Sequence, residues 1–218
     1  TVDPRLDFVT GRPTIRYKTY PDSPCGLWVR NSDVYGYNNT KRFWLSPESP
    51  AATQGWPWGA SALNWQIIRY ADLLLYKAEA LIEIGGEGLE QARTLINRVR
   101  DRARNSAFVK DFNNPEQNAA NYKIGLYPAT GWTQDYARRA LRTEMRLEKA
   151  MEGERFFDLV RWGIAKETMN NYFRAESDNR IYYQNATFDS GEEYFPVPVA
   201  QYNFSGGIYV QNPGYPAF

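Results

Sequence analysis

Two glutamates at helical spacing are the first side chains in this sequence whose positions could support chemistry. Glu144 and Glu148 lie four residues apart on the apolar stripe of a predicted helix, and Asp158 follows further along the chain. Two carboxylates held about 5–9 Å apart across a cleft can hydrolyse a glycosidic bond. Buried carboxylates are more commonly neutralised by arginine, so an ion-paired helix interface is the structural alternative. The arginines considered as partners are Arg142, Arg146, Arg155 and Arg161.

Aromatic side chains are the second candidate for a functional role, since they make up 16% of the chain. Sugars present an apolar C–H face and a rim of hydroxyl groups. Flat rings that also carry an O–H or N–H are complementary to such a ligand. In the first third of the chain, such rings alternate with Asn, Arg and Lys. The candidate ligand-binding residues are Trp28, Tyr35, Tyr37, Trp44, Trp56 and Trp58.

The composition excludes several function classes. The 218 residues include no histidine and a single cysteine, Cys25, which removes Ser-His-Asp and Cys-His catalysis and histidine-based metal sites. The 26 basic and 25 acidic side chains give a formal charge of +1, which does not favour nucleic acid as a partner. The sequence has no Gly-rich phosphate loop and no cluster with metal-ligand spacing, so we predict no cofactor, no metal and no catalytic residue.

Arg98, Arg100, Arg102 and Arg104 form a basic run at the end of a predicted helix. A turn of 100° per residue spreads these side chains around the helix, and cations are favourable near a helix C-terminus. The run is therefore predicted to be a solvated, partly salt-bridged helix end.

The elements that must position these residues are mainly α-helices joined by long ordered loops. Residues 1–61 hold seven of the 13 prolines, which predicts loops with a few short strands and places the candidate ligand segment there. Residues 69–105 show a 3.6-residue apolar period interrupted by Gly85 and Gly86, which predicts a helical hairpin with helices from about 69 to 84 and from about 88 to 104. Residues 133–173 predict two more helices, 133–152 and 155–173, and residues 174–218 are predicted to wrap around the helices.

The hairpin at 69–105 has about the length of a tetratricopeptide unit. One such unit cannot bury both of its faces, and the sequence holds no second copy at that spacing. We therefore expect further helices upstream of this sequence.

Four segments and the opening residues together resemble the C-terminal part of the SusD/RagB family of outer-membrane nutrient-binding lipoproteins. The opening residues are Asp3 to Asp7. The four segments are Ile68 to Ala80, Leu95 to Arg100, Glu148 to Gly163 and Gln211 to Tyr215. Their order and spacing also match, so the resemblance extends over nearly the whole chain.

The resemblance implies a non-catalytic binder on the surface of a Bacteroidetes-type bacterium. Such a protein takes part in polysaccharide utilisation: it captures oligosaccharides and delivers them to a SusC-like TonB-dependent transporter. The family's N-terminal half and its lipid-bearing cysteine do not match any part of this sequence, so membrane attachment is expected only through an anchor outside it. The family's motif residues are scaffold, and its ligand contacts lie in variable loops.

Two alternatives remain beside this interpretation. One is a glycoside hydrolase that uses Glu144 or Glu148 with Asp158. The other is a purely protein-binding helical-repeat module, in which the aromatic side chains pack internally or face a partner chain.

Overall fold

Helices carry most of the regular structure in this computed structural model, which describes residues 1–12, 15, 64 and 66–218. Within these residues the β-structure consists of isolated bridges, and no helix combines the length and apolar character needed to cross a membrane. The predicted mainly helical fold is therefore confirmed. The described residues form seven α-helices, which are Leu6–Val9 (α1), Tyr70–Ile84 (α2), Gly88–Arg104 (α3), Gln134–Glu148 (α4), Arg155–Arg161 (α5), Ala165–Glu176 (α6) and Val199–Phe204 (α7), and Ile181–Tyr183 is a 3-10 helix.

The described chain divides into two compact units, residues 1–152 and 153–218. The boundary between them falls inside the segment 133–173 that the apolar pattern groups together. The functional division, with a ligand segment in residues 1–61 and a wrapping segment in residues 174–218, stays a prediction.

Helix α2 begins and ends where the sequence predicts. At its start, the Arg69 backbone N–H donates to Asp72 Oδ2 at 2.7 Å. At its end, Gly85 adopts a φ of +77° and its N–H donates to the Leu81 carbonyl at 3.1 Å. Glycine adopts this left-handed conformation without a Cβ clash, which stops the helix and allows α3 to begin three residues later.

Helices α2, α3 and α4 pack against one another around an apolar core in the first unit. Alanines at the contact positions allow the helix backbones to approach closely, and leucine, isoleucine and methionine fill the remaining space. Burial of each of these larger side chains contributes about 1.5–3 kcal/mol. The apolar residues of these three helices that are at most 1% exposed are Leu75, Ala78, Ile82, Ala92, Ile96, Ala137 and Met145.

The opposite side of α2 also carries apolar side chains. Leu73 is 54% exposed and Ile84 is 79% exposed, although both lie on a helix whose other face is fully buried. A further helix packed on this face would cover them. The expectation of neighbouring helices stays a prediction.

Polar contacts bind the opening residues to the rest of the first unit. Val2 forms a parallel bridge with Tyr122, whose hydroxyl donates to Asp7 Oδ2 at 2.6 Å. Arg12 donates to both oxygens of the same carboxylate, at 2.7 and 2.8 Å. Burial, the hydrogen bond and the charge of Asp7 raise the pKa of Tyr122 above its ordinary value, so its hydroxyl remains a donor in alkaline solution as well as at neutral pH.

The two helices predicted at 133–152 and 155–173 differ from the observed ones. Helix α4 ends at Glu148 and not at Glu152, since Met151 has a φ of +64° and Gly153 a φ of +86°. The predicted single helix 155–173 is two helices, because Gly163 adopts a φ of +67°. The Gly163 N–H donates to the Val160 carbonyl at 2.9 Å, and the next residue donates to Leu159 at 3.0 Å. This pair of bonds is a Schellman motif, which ends α5.

The second unit contains a close backbone contact that requires glycine. A Cβ on Gly214 would lie 2.4 Å from the Ser190 carbonyl oxygen, and one on Gly191 would lie 2.1 Å from the Pro213 carbonyl oxygen. Both glycines also have a positive φ. Gly214, in the closing segment Gln211 to Tyr215, therefore cannot be replaced by another residue without moving the backbone.

Candidate functional site

The six aromatic residues predicted to bind a ligand lie outside the described residues. Their role stays a prediction. The three carboxylates of the hydrolase alternative, by contrast, all lie in the described chain. The six aromatic residues are Trp28, Tyr35, Tyr37, Trp44, Trp56 and Trp58.

Glu144 is completely buried and is held by two arginines. Its Oε1 accepts from Arg5 Nη1 at 2.6 Å, and its Oε2 accepts from Arg100 Nη1 at 2.7 Å. Arg5 comes from the opening residues and Arg100 from the last third of α3, so the contact joins three parts of the first unit. Both carboxylate oxygens are already occupied by charged donors.

Glu148 lies one turn later on α4, with only 2% of its side chain exposed. Its Oε1 accepts from Arg69 Nη1 at 2.9 Å, and its Oε2 accepts from Arg102 Nη2 at 2.6 Å and from Arg5 Nη1 at 3.0 Å. We call this group the arginine–carboxylate cluster. It consists of Arg5, Arg69, Arg100, Arg102, Glu144 and Glu148.

The arginine–carboxylate cluster stabilises the charged form of Glu148. Burial alone raises the pKa of Glu148, but the hydrogen bonds from Arg69 and Arg5 and the charge of Arg102 outweigh it and lower the pKa below the ordinary value of 4.5. A general acid in glycoside hydrolysis needs the opposite shift. The geometry and charge of this site fit a structural ion-pair network that ties α4 to α2, α3 and the opening residues.

Asp158, the third carboxylate of the hydrolase alternative, belongs to the second unit. There it accepts from Arg161 Nη2 at 3.1 Å, three residues along α5. The Arg161 guanidinium also lies 5.4 Å from the ring centroid of Trp162. These contacts fit the scaffold role expected for the segment Glu148 to Gly163.

The prediction that arginines neutralise the buried glutamates is confirmed, but the arginines found on Glu144 and Glu148 are not the ones considered from the sequence, which were Arg142, Arg146, Arg155 and Arg161. The partners of Glu144 and Glu148 are Arg5, Arg69, Arg100 and Arg102, all distant in sequence.

The prediction of a solvated, partly salt-bridged helix end is correct for Arg102 and Arg104, which are ion-paired and about half exposed. It is wrong for the exposure of Arg100, whose side chain is only 13% exposed because it reaches Glu144 on α4. The four-residue spacing of two glutamates within an apolar stripe signals that some arginines must be buried with them, but it does not identify Arg100 as one of these.

A cleft of about 570 Å³ opens between the start of α2 and the end of α3. We call it the α2–α3 cleft. A second cleft, of about 480 Å³, lies beside α1 and shares Gln66, Arg69 and Arg102 with the first. Both volumes fall within the range of about 300–1,000 Å³ that is common for ligand sites. The principal lining residues of the α2–α3 cleft are Arg69, Tyr70, Leu74, Arg98, Val99 and Arg102.

The described aromatic residues of the first unit also include a packed group. Trp132 is buried, and its Nε1–H donates to the Leu89 carbonyl at 2.8 Å. Tyr127 and Tyr136 pack against it, with ring centroids 5.5 and 5.4 Å away. The Arg100 guanidinium lies 4.4 Å from the centroid of Tyr127. These rings support the helices and the arginine–carboxylate cluster.

Two curated proteins of Formosa agariphila are similar to this chain. The first, named SusD-like protein P2, is 29% identical over 156 residues, which cover 71% of this chain and 26% of that protein. The second, named SusD-like protein P38, is 37% identical over 106 residues, which cover 49% of this chain and 18% of that protein. The chain thus spans about a quarter or less of the length of these curated relatives.

A solved structure is similar to this chain in its fold. The crystal structure of a SusD homologue from Bacteroides thetaiotaomicron superposes with a TM-score of 0.54 at 30% sequence identity. The match covers 71% of this chain and 28% of that one. The sequence model of the SusD family matches residues 2–215. This chain therefore belongs to the SusD family.

Proposed function

We propose that this chain is part of a non-catalytic, cell-surface glycan-binding protein for nutrient uptake. The protein captures oligosaccharides and delivers them to a SusC-like TonB-dependent transporter in the outer membrane of a Bacteroidetes-type bacterium. It is attached to that membrane as a surface-exposed lipoprotein, through an anchor outside this sequence.

The observation that carries the proposal is the match to the SusD family over residues 2–215. This match includes the opening segment with all six candidate aromatic residues. It also includes the buried arginines and glutamates. A glycan-binding role in nutrient uptake is what membership of this family implies.

The arginine–carboxylate cluster supports a binder over a hydrolase. Glu144 and Glu148 have their four carboxylate oxygens occupied by guanidinium groups, and both are almost fully buried. A substrate could reach either only after these ion pairs break. Leaving a buried charge without its partner costs about 3–5 kcal/mol, which opposes such an opening.

Binding is proposed to rest on the aromatic residues of the opening segment, from Trp28 to Trp58. A ring that stacks on a sugar face contributes about 0.5–1.5 kcal/mol beyond the area it buries. After the cost of ordering ligand and loops, a few such contacts give dissociation constants in the micromolar to millimolar range. Binding of this strength allows release to a transporter.

The proposal is tested with a panel of plant, algal and host glycans, measured for binding by titration calorimetry and for cleavage by new reducing ends. We expect saturable binding to at least one glycan and no new reducing ends. Sustained cleavage that is abolished by Glu148→Gln would favour the hydrolase. Absence of any glycan binding, with capture of a transporter protein by the same sample, would favour the protein-binding module.

A further inference from the structure

The α2–α3 cleft has an apolar floor and a basic rim. Leu74 of α2 and Val99 of α3 line it, and three arginines, Arg69, Arg98 and Arg102, lie around it. None of the described lining residues is acidic. Arg69 and Arg102 pair with Glu148, which lies outside this cleft, so within the described lining the charge that the cleft itself leaves without a carboxylate is that of Arg98.

Arg98 differs from the other four arginines of α3. Arg93, Arg100, Arg102 and Arg104 each have a carboxylate within salt-bridge distance. Arg98, in the part of the chain that the structure describes, has none. Its guanidinium lies 5.3 Å from the ring centroid of Tyr70, and its Nη1 donates to the Tyr70 hydroxyl at 3.2 Å. The ring orients this exposed cation without neutralising it.

The two neighbouring arginines of the cleft differ from Arg98 in how they are bonded. Arg69 carries a buried Nε–H that has no hydrogen-bond partner, and an unsatisfied buried donor is unfavourable. Arg102 uses its Nη2 for Glu148, and its side chain is 57% exposed. The charges of Arg69 and Arg102 are already engaged by Glu148, so Arg98 is the principal candidate to bind an incoming anion.

We propose that the α2–α3 cleft binds an acidic sugar unit, whose carboxylate or sulfate group is held by Arg98. This inference rests on the proposed glycan-binding function and deepens it by naming a substrate class. A planar guanidinium donates two parallel hydrogen bonds to a carboxylate or sulfate group. The Tyr70 hydroxyl can donate to a ring hydroxyl of the sugar. Leu74, which is partly exposed, can contact its C–H face.

The test is titration calorimetry of the whole chain with three oligosaccharides of similar length. One is an oligogalacturonate, one is a sulfated oligosaccharide without carboxylates, and one is uncharged. Each is titrated into the unmodified protein, into Arg98→Ala and into Arg104→Ala. Arg104 is the matched control, because it lies on the same helix, is exposed like Arg98 and, unlike Arg98, is paired with Asp101.

We expect Arg98→Ala to weaken binding of at least one acidic oligosaccharide about five- to tenfold and to leave the uncharged one unchanged. Arg104→Ala should leave all three unchanged. The two acidic ligands distinguish a carboxylate-binding site from a sulfate-binding site. Raising the NaCl concentration should weaken only the binding of the acidic ligands.

Three results would overturn the inference. Acidic oligosaccharides could bind no more tightly than the uncharged one, or bind equally well to Arg98→Ala. A glutamate oligopeptide could compete as well as the acidic sugar, which would show recognition of charge alone. In each case binding of the uncharged oligosaccharide would leave the proposed function standing. Failure of all three oligosaccharides and of the wider glycan panel would remove both proposals.

Discussion

Replacement of Glu148 by glutamine tests whether the arginine–carboxylate cluster holds the first unit together. In the structure, Glu148 Oε1 accepts from Arg69 and Oε2 accepts from Arg102 and Arg5. A glutamine side chain has one acceptor oxygen and one NH₂ donor. In either orientation, its NH₂ group therefore faces at least one guanidinium donor.

The size of the effect follows from burial and from the loss of one charge. Breaking a buried ion pair by removing one partner costs about 3–5 kcal/mol. Since glutamine keeps one acceptor for these arginines, we expect a loss at the lower limit, about 3 kcal/mol in the free energy of unfolding. For a chain of this size, each kcal/mol corresponds to about 2–4 °C in Tm, which predicts a fall of about 6–12 °C.

The assay is thermal and urea-induced unfolding of Glu148→Gln, followed by circular dichroism, with Glu83→Gln as the control. Glu83 also pairs with an arginine, Arg138, but its side chain is 54% exposed, so its replacement should change Tm little. Equal stability of Glu148→Gln and the unmodified protein would refute the reasoning. It would show that the buried ion pairs do not hold α4 in place.

Two further predictions concern acid stability and the glycine contact of the second unit. The pKa values of Glu148 and Asp3 are lowered in the folded chain, so their contribution to stability is complete above the ordinary carboxylate pKa and is lost as the pH falls through the lowered values. Tm measured from pH 7 to pH 3 should therefore fall at the acidic end, and fall less steeply in Glu148→Gln; parallel curves would contradict this. Gly214→Ala places a Cβ 2.4 Å from the Ser190 carbonyl oxygen, whereas Gly206→Ala meets nothing within 4 Å at a similarly positive φ. Gly214→Ala should lose clearly more thermal stability than Gly206→Ala, and an equal loss would show that the backbone contact is not tight.

The hairpin of α2 and α3 was predictable because its signals are local. The apolar period fixes the buried faces, and Gly85 fixes the end of α2 through its left-handed conformation. The end of α5 carries a similar signal, since Gly163 follows its last turn, but the apolar pattern continues across it and predicted one helix. Local backbone geometry prevailed over apolar periodicity at this position.

The arginine–carboxylate cluster was only partly predictable because its contacts are tertiary. The spacing of Glu144 and Glu148 indicates that cations must neutralise them, but not which ones. Arg5 is 139 residues from Glu144 in sequence, and Arg100 reaches Glu144 from another helix. Only the packing of three helices and the opening residues brings these groups together. The cleft beside Arg98 depends on the same packing and has no signal in the sequence.

The most direct test of the account is a titration of the whole chain with its best-bound oligosaccharide, comparing the unmodified protein with Trp44→Ala. The account predicts a weaker affinity for the variant at an unchanged Tm, because Trp44 is proposed to stack on the sugar and not to support the fold. Unchanged affinity would contradict the proposed role of the opening aromatic segment. Loss of the folded state with the same substitution would show that Trp44 belongs to the core, which equally contradicts it.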